Sequence, residues 1–186
     1  FLAFFVWVNF NNLTIILALG SMPLAFSYPL MKRYTYLPQF FLWITFNYGL
    51  ILGWICIKLS LEIVPFLFYF GAIFWTLGYD TIYVFQDIKD DEIIGLKSTS
   101  IKFKKKPYFF LTLCYLIFFL CIASVGVLMK FNFMYFAFLI IPLLHLFIHQ
   151  IRKLDIDDPN KCLKIFKSNN FFGLIVFVNL LIGKLY

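Results

Sequence analysis

The 186-residue chain is 63% hydrophobic and only 13% charged, with a mean hydropathy of +0.91. A soluble domain is about half apolar and a quarter charged, so a water-soluble globule is excluded. Disorder is excluded too, because disordered chains lack this much apolar and aromatic surface. A net charge of +7 would suggest nucleic acid in a soluble protein. Here the cations sort by membrane side instead, and no nucleic-acid partner is expected.

Long apolar runs predict six full transmembrane helices, near 13–31, 38–57, 63–86, 108–129, 131–149 and 170–186. Residues 1–8 read as the stub of another span, followed by a polar turn at Asn9, Asn11 and Asn12. The chain opens inside an apolar run without an initiator Met, so a missing N-terminus is expected. Backbone groups in lipid must be paired within the segment, which makes every run helical. The expected fold is all-α, a polytopic membrane helix bundle forming one domain over 1–186. Pro23, Pro65 and Pro142 are candidate kinks, and Gly49 with Gly53 forms a GxxxG pair suited to close packing. His145 and His149 are spaced i,i+4 without the Glu of HExxH and read as structural or interfacial. The four cysteines form no CxxC and read as packing residues.

Thirteen of the sixteen cations follow the first, third and fifth spans, leaving Lys58, Lys130 and Lys184 on the other side. The positive-inside rule makes the crowded side cytoplasmic, and a lipid bilayer is the implied surroundings. Eight of the nine acids share that side, and only Glu62 lies opposite. Topology needs the cations; it does not need the acids.

The end of the third span reads Gly78-Tyr79-Asp80-Thr81-Ile82-Tyr83-Val84-Phe85-Gln86-Asp87-Ile88-Lys89-Asp90-Asp91-Glu92. On a continuous α-helix Asp80, Asp87 and Asp91, at i, i+7 and i+11, fall within roughly 20° of one another. Asp87 and Asp91 would have Cβ atoms about 5–6 Å apart, a repulsive pair unless a cation lies between them. Asp80 would lie about 10 Å deeper, where a carboxylate is costly and by default functional. Oxygen ligands without His or Cys favour a hard cation such as Mg²⁺, which completes its shell with water and substrate phosphate. A solvated acidic helix end is the competing reading and suits Asp90 and Glu92. Lys97, six residues beyond the acids, and Lys32 with Arg33 at the end of the first span are candidate diphosphate partners. The competing reading for each is a purely topological cation.

Two of these segments, Tyr28-Pro29-Leu30-Met31-Lys32-Arg33 and the stretch from Gly78 to Thr99, resemble the YPxMKR segment and second aspartate-rich motif of the UbiA-type intramembrane prenyltransferases. The likeness is to the 4-hydroxybenzoate polyprenyltransferase branch and extends to Cys162–Leu174, which resembles its last loop and final helix. The resemblance implies a bundle of nine transmembrane helices with an active site facing the cytoplasm or matrix. It implies transfer of a polyprenyl chain from polyprenyl diphosphate to the carbon ortho to the hydroxyl of 4-hydroxybenzoate, in ubiquinone biosynthesis. Mg²⁺ would be held by two aspartate-rich motifs, with Asp87 and Asp91 on the DxxxD positions of the second and Asp80 on the preceding YDTxY aspartate. No NDxxDxxxD segment of the first motif occurs here, so the chain would run from late in the third helix through the ninth.

The implied site residues are Asp87 and Asp91 for metal and catalysis, with Asp80, Lys97, Lys32 and Arg33 toward the diphosphate. Tyr28, Tyr79 and Tyr83 would face the carbocation, with ordinary aromatic packing as the alternative. A bacterial inner membrane is the expected location and a mitochondrial inner membrane the alternative. A noncatalytic membrane remnant and a transporter are the rival classes; the clustering of acids at one end of one helix argues against transport.

Overall fold

The computed structural model describes residues 9–185, apart from the side chains of Tyr28, Pro29, Lys32 and Lys89. The expected stub at 1–8 and the side chains of Tyr28 and Lys32 therefore lie outside the described residues. No strand occurs among the described residues. The helices in chain order are α1 (Asn12–Tyr34), α2 (Pro38–Phe46), α3 (Gly49–Lys58), α4 (Ile63–Val84), α5 (Ile88–Ile94), α6 (Thr99–Phe103), α7 (Pro107–Leu128), α8 (Phe133–Phe138), α9 (Ile140–Leu144) and α10 (Pro159–Leu185). A 3-10 turn at Phe85–Asp87 joins α4 to α5, and a π-helical stretch at His145–Ile151 continues α9. Among the described residues five segments are long and apolar enough to cross a membrane: Pro38–Lys58, Ile63–Asp87, Pro107–Leu128, Phe133–Ile151 and Pro159–Leu185. The sixth expected span is carried by α1, whose apolar stretch is the shorter Asn12–Ser27.

The second span is not one continuous helix. It breaks at Asn47 and Tyr48, where the Asn47 amide donates to the Trp43 carbonyl (3.0 Å) and to Thr76 Oγ1 on α4 (3.0 Å). Tyr69 donates to the Ile44 carbonyl at 2.6 Å, so side chains serve two backbone acceptors at the break. Pro142 sits just after the break at Leu139, where a missing N–H weakens the helix. Pro65 falls in the first turn of α4, where no N–H bond is lost, and Pro23 lies within α1 without ending it. The last helix starts at Pro159, eleven residues before its apolar run, because Asp158 Oδ1 accepts from the N–H groups of Asn160 (3.0 Å) and Lys161 (3.1 Å).

Apolar side chains gain nothing by leaving lipid for one another, so close approach and buried hydrogen bonds hold the bundle together. The α4–α7 pair is the closest. A Cβ on Gly71 would lie 2.7 Å from Cys121 Cβ, and one on Gly78 would lie 2.5 Å from the Tyr115 ring. The Gly49 and Gly53 pair makes no such approach, with no described atom within 4 Å of either added Cβ. A buried polar chain crosses four elements: Tyr115 donates to Gln150 Oε1, while Gln150 Nε2 (2.9 Å) and Trp75 Nε1 (3.0 Å) both donate to Asn169 Oδ1. Such bonds between membrane helices are each worth about 0.6–2 kcal/mol. Outward-facing residues such as Ile57, Phe133 and Phe171 are exposed, as a lipid-facing belt requires.

Candidate active site

The acidic stretch forms one rim of a cleft of about 120 Å³, lined by Gln39, Tyr83, Asp87, Asp91, Lys97 and Ser98 among others. Asp87 closes the 3-10 turn and Asp91 lies in the first turn of α5. The turn between α4 and α5 changes the register expected from a continuous helix. A 3-10 turn advances about 120° per residue rather than 100°. The arithmetic that put Asp80 in line with Asp87 and Asp91 assumes a continuous α-helix, which this turn interrupts. Asp80 is half-buried on α4 and does not line the cleft.

Lys97 returns to the acids because α5 ends in a Schellman turn. Gly95 takes φ 74°, its N–H bonds the Glu92 carbonyl (3.3 Å) and the Leu96 N–H bonds the Asp91 carbonyl (2.9 Å). The ammonium of Lys97 lies 3.5 Å from the Tyr34 carbonyl and 5.4 Å from the centre of the Tyr36 ring, which ties the end of α1 to the cleft. Arg33, next to Tyr34, is exposed and does not line the cleft. Glu92 turns away to pair with Lys104 at 2.7 Å.

The segment after Lys97 is fixed from below. Ser98, Thr99 and Ser100 are buried, and Ser98 Oγ caps α6 by accepting from the Ile101 N–H at 3.4 Å. The Thr99 N–H donates to Gln39 Oε1 on α2 (3.3 Å), and Thr99 Oγ1 lies 2.8 Å from Thr81 Oγ1 on α4. Sequence reasoning passed over Gln39 and Thr99. A glutamine within an apolar span and the Ser-Thr-Ser run before α6 were the available signals.

Aromatic rings continue inward from the acids along α4. Tyr83 packs on Phe166 of α10 at 4.7 Å, Tyr79 on Phe166 at 5.6 Å, and Tyr79 meets Trp43 and Trp75 at 5.5 and 5.4 Å. Along α4 the rings of Trp75, Tyr79 and Tyr83, each four residues apart, thus lead from the interior to the turn that carries Asp87. Trp43 Nε1 is buried without a hydrogen-bond partner among the described residues.

Among the described residues no group of three or more His, Cys, Asp and Glu side chains comes together. Two carboxylates one turn apart, with no imidazole or thiolate beside them, still suit Mg²⁺, which commonly takes one or two carboxylates and leaves its other positions to water and phosphate oxygens.

Residues 1–179 match the model of the UbiA prenyltransferase family. The chain is 42% identical over 186 residues to the mitochondrial 4-hydroxybenzoate polyprenyltransferase of Homo sapiens, covering 100% of this chain and 50% of that protein. The corresponding Bos taurus protein is also 42% identical, over 185 residues, with 99% of this chain and 50% of the relative covered. The 4-hydroxybenzoate geranyltransferase 2 of Lithospermum erythrorhizon is 38% identical over 193 residues, with 100% of this chain and 61% of the relative covered. The chain thus spans about half the length of the mammalian relatives it matches. No solved structure matches. A family match over almost the whole chain and identities of this size leave one conclusion: the chain belongs to the UbiA prenyltransferase family.

Proposed function

We propose that the protein transfers a polyprenyl group from polyprenyl diphosphate to the ring carbon ortho to the hydroxyl of 4-hydroxybenzoate, with Mg²⁺, as a step of ubiquinone biosynthesis. The observation that carries this reading is the cleft that Asp87, Asp91 and Lys97 line together at the end of an aromatic-lined helix. The names of the relatives support the acceptor and the donor class.

Asp87 and Asp91 would hold the Mg²⁺, which when bound neutralises diphosphate charge and favours its departure from the allylic carbon. Lys97 supplies a fixed positive charge to the same leaving group, and Arg33 and Lys32 at the end of α1 add to it. The allylic cation left behind faces π-electron density from Tyr83 and Tyr79, with Tyr28 as a further candidate. The packed rings of Tyr79, Trp43, Trp75 and Phe166 keep water from that cation. The electron-rich carbon ortho to the phenol then attacks it, and loss of the ring proton restores aromaticity. Asp80 acts as a positioning residue, about two to three helical turns below the rim.

The word mitochondrial in the relatives' names supports the mitochondrial inner membrane over the bacterial one, with the cation-rich side facing the matrix. The test is an assay of membranes containing the protein, with 4-hydroxybenzoate, polyprenyl or geranyl diphosphate, and Mg²⁺ with and without EDTA. The expected result is 3-prenyl-4-hydroxybenzoate that disappears with EDTA and returns with excess Mg²⁺. Product formation that ignores EDTA would remove the metal from the reading.

A further inference from the structure

A second charged cavity opens where the π-helical stretch meets the first turns of α10. It encloses about 220 Å³ and is lined by His149, Lys153, Lys161, Lys164 and Ile165. Lys161 is already engaged, 2.9 Å from Asp155 and 3.6 Å from Asp158. Its hydrogen bond holds the Asp155 carboxyl below the usual carboxylate range. Lys153 and Lys164 form no ion pair among the described residues. The cavity is separate from the acidic cleft. Phe166, which packs on Tyr79 and Tyr83, points roughly 160° away from Lys164 around α10.

The seam between the same two helical segments continues into the membrane. His145 Nε2 lies 3.2 Å from Ser168 Oγ, closing the polar layer. Beyond it lies an apolar groove of about 210 Å³, lined by Phe138, Ile141, Phe171, Leu174 and Val178 among others. Leu174 is ten residues past Lys164, about 15 Å along the helix axis and so roughly one leaflet of a 30 Å hydrocarbon core.

We propose that this seam binds one anionic phospholipid, its phosphate held between Lys153 and Lys164 and one acyl chain lying along Ile141, Phe171 and Leu174. Charge complementarity selects the occupant. The pocket carries two uncompensated ammonium groups at the level where headgroups lie, on the cation-rich face of the protein. Basic pockets between helices on that face take anionic headgroups. These two lysines line a cavity on the same helical seam as an acyl-sized groove, on the bilayer side of the His145–Ser168 contact.

The experiment uses lipid-stripped protein in detergent, titrated separately with phosphatidylglycerol, phosphatidylcholine, inorganic phosphate and a polyprenyl diphosphate, with bound species counted by native mass spectrometry. Phosphatidylglycerol should be retained over phosphatidylcholine by about 25-fold, at about fivefold for each lysine. Lys153→Gln with Lys164→Gln should bring that ratio near parity while leaving prenyl transfer unchanged, since neither lysine lines the acidic cleft. Leu174→Trp should weaken retention of both lipids by filling the groove with the lysines intact. Equal retention of the two lipids, or a preference that survives the double lysine substitution, overturns the proposal. Displacement of the lipid by equimolar inorganic phosphate overturns the acyl-chain assignment, and tighter capture of polyprenyl diphosphate at these lysines overturns the lipid assignment.

Discussion

Thr81 and Thr99, both fully buried, hold their hydroxyl oxygens 2.8 Å apart. Thr81 already donates to the Leu77 carbonyl at 2.7 Å, so Thr99 is the donor between them. This bond ties the segment that presents Lys97 to the helix that leads to Asp87. Thr99→Val keeps the shape and removes the donor, leaving the Thr81 oxygen short of one partner. The expected cost is about 1–2 kcal/mol of stability, read as a lower melting temperature in detergent. The KM for the diphosphate should rise more than kcat falls, because the bond positions Lys97 and does not touch the reacting carbon.

Asp87→Asn and Asp91→Asn each keep the size of the side chain while removing charge from the rim of the cleft. Under the proposed reaction each should lower kcat by roughly 10²–10³ and raise the Mg²⁺ concentration needed for half-maximal rate. Asp80→Asn should be milder, because Asp80 does not line the cleft. Product formation and Mg²⁺ titration measured on the three variants would check the order. Equal losses at all three would give Asp80 a share in holding the metal.

Lys97→Gln removes an ammonium from the cleft that the two carboxylates also line and leaves a side chain of similar length. The diphosphate should bind about tenfold more weakly, with the acceptor's KM unchanged. Glu92→Gln is the matching control. Glu92 pairs with Lys104 at half-exposed positions, a bond worth about 0–1 kcal/mol, so neither stability nor rate should move appreciably.

The spans of α4 and α7 are legible in the sequence because their apolar runs end at charged or capping residues, and lipid depth and helix length coincide there. Elsewhere the two part company. The start of α10 is set by Asp158 and Pro159, so a hydropathy reading finds its lipid-facing portion and misses its first three turns. The break at Asn47 depends on Tyr69 and Thr76, more than twenty residues away, and no local signal announces it. At the site, four-residue spacing puts Asp87 and Asp91 on one rim, while the 3-10 turn between Asp80 and Asp91 has no mark in the sequence. Gln39 and Thr99 become site residues only when α2 and α6 are brought together by the fold.

Gly78 sets how closely α4 and α7 approach. A Cβ there would come within 2.5 Å of the Tyr115 ring. That ring is fully buried and its hydroxyl is held by Gln150, so it has no free direction in which to move. Gly78→Ala should cost about 1–3 kcal/mol through overpacking, read as a lower melting temperature. Because Tyr79 is adjacent, the shift should also disturb the ring packing below the acids and reduce activity beyond the loss of folded protein.

Gly95 offers a cleaner test of the return turn. Its φ of 74° is the left-handed region, and a Cβ there would meet nothing within 4 Å, so any effect of Gly95→Ala is conformational and not steric crowding. The expected destabilisation is about 1–2 kcal/mol, with Gly95→Asn costing less because Asn tolerates this region. Hydrogen exchange at the Leu96 amide should speed up in the Ala variant as the bond to Asp91 frays. Since the same turn leads to Lys97 in the cleft that Asp87 and Asp91 line, KM for the diphosphate should follow the order wild type, Asn, Ala. An Ala variant that exchanges faster at Leu96 yet binds the diphosphate normally would show that the turn does not position Lys97.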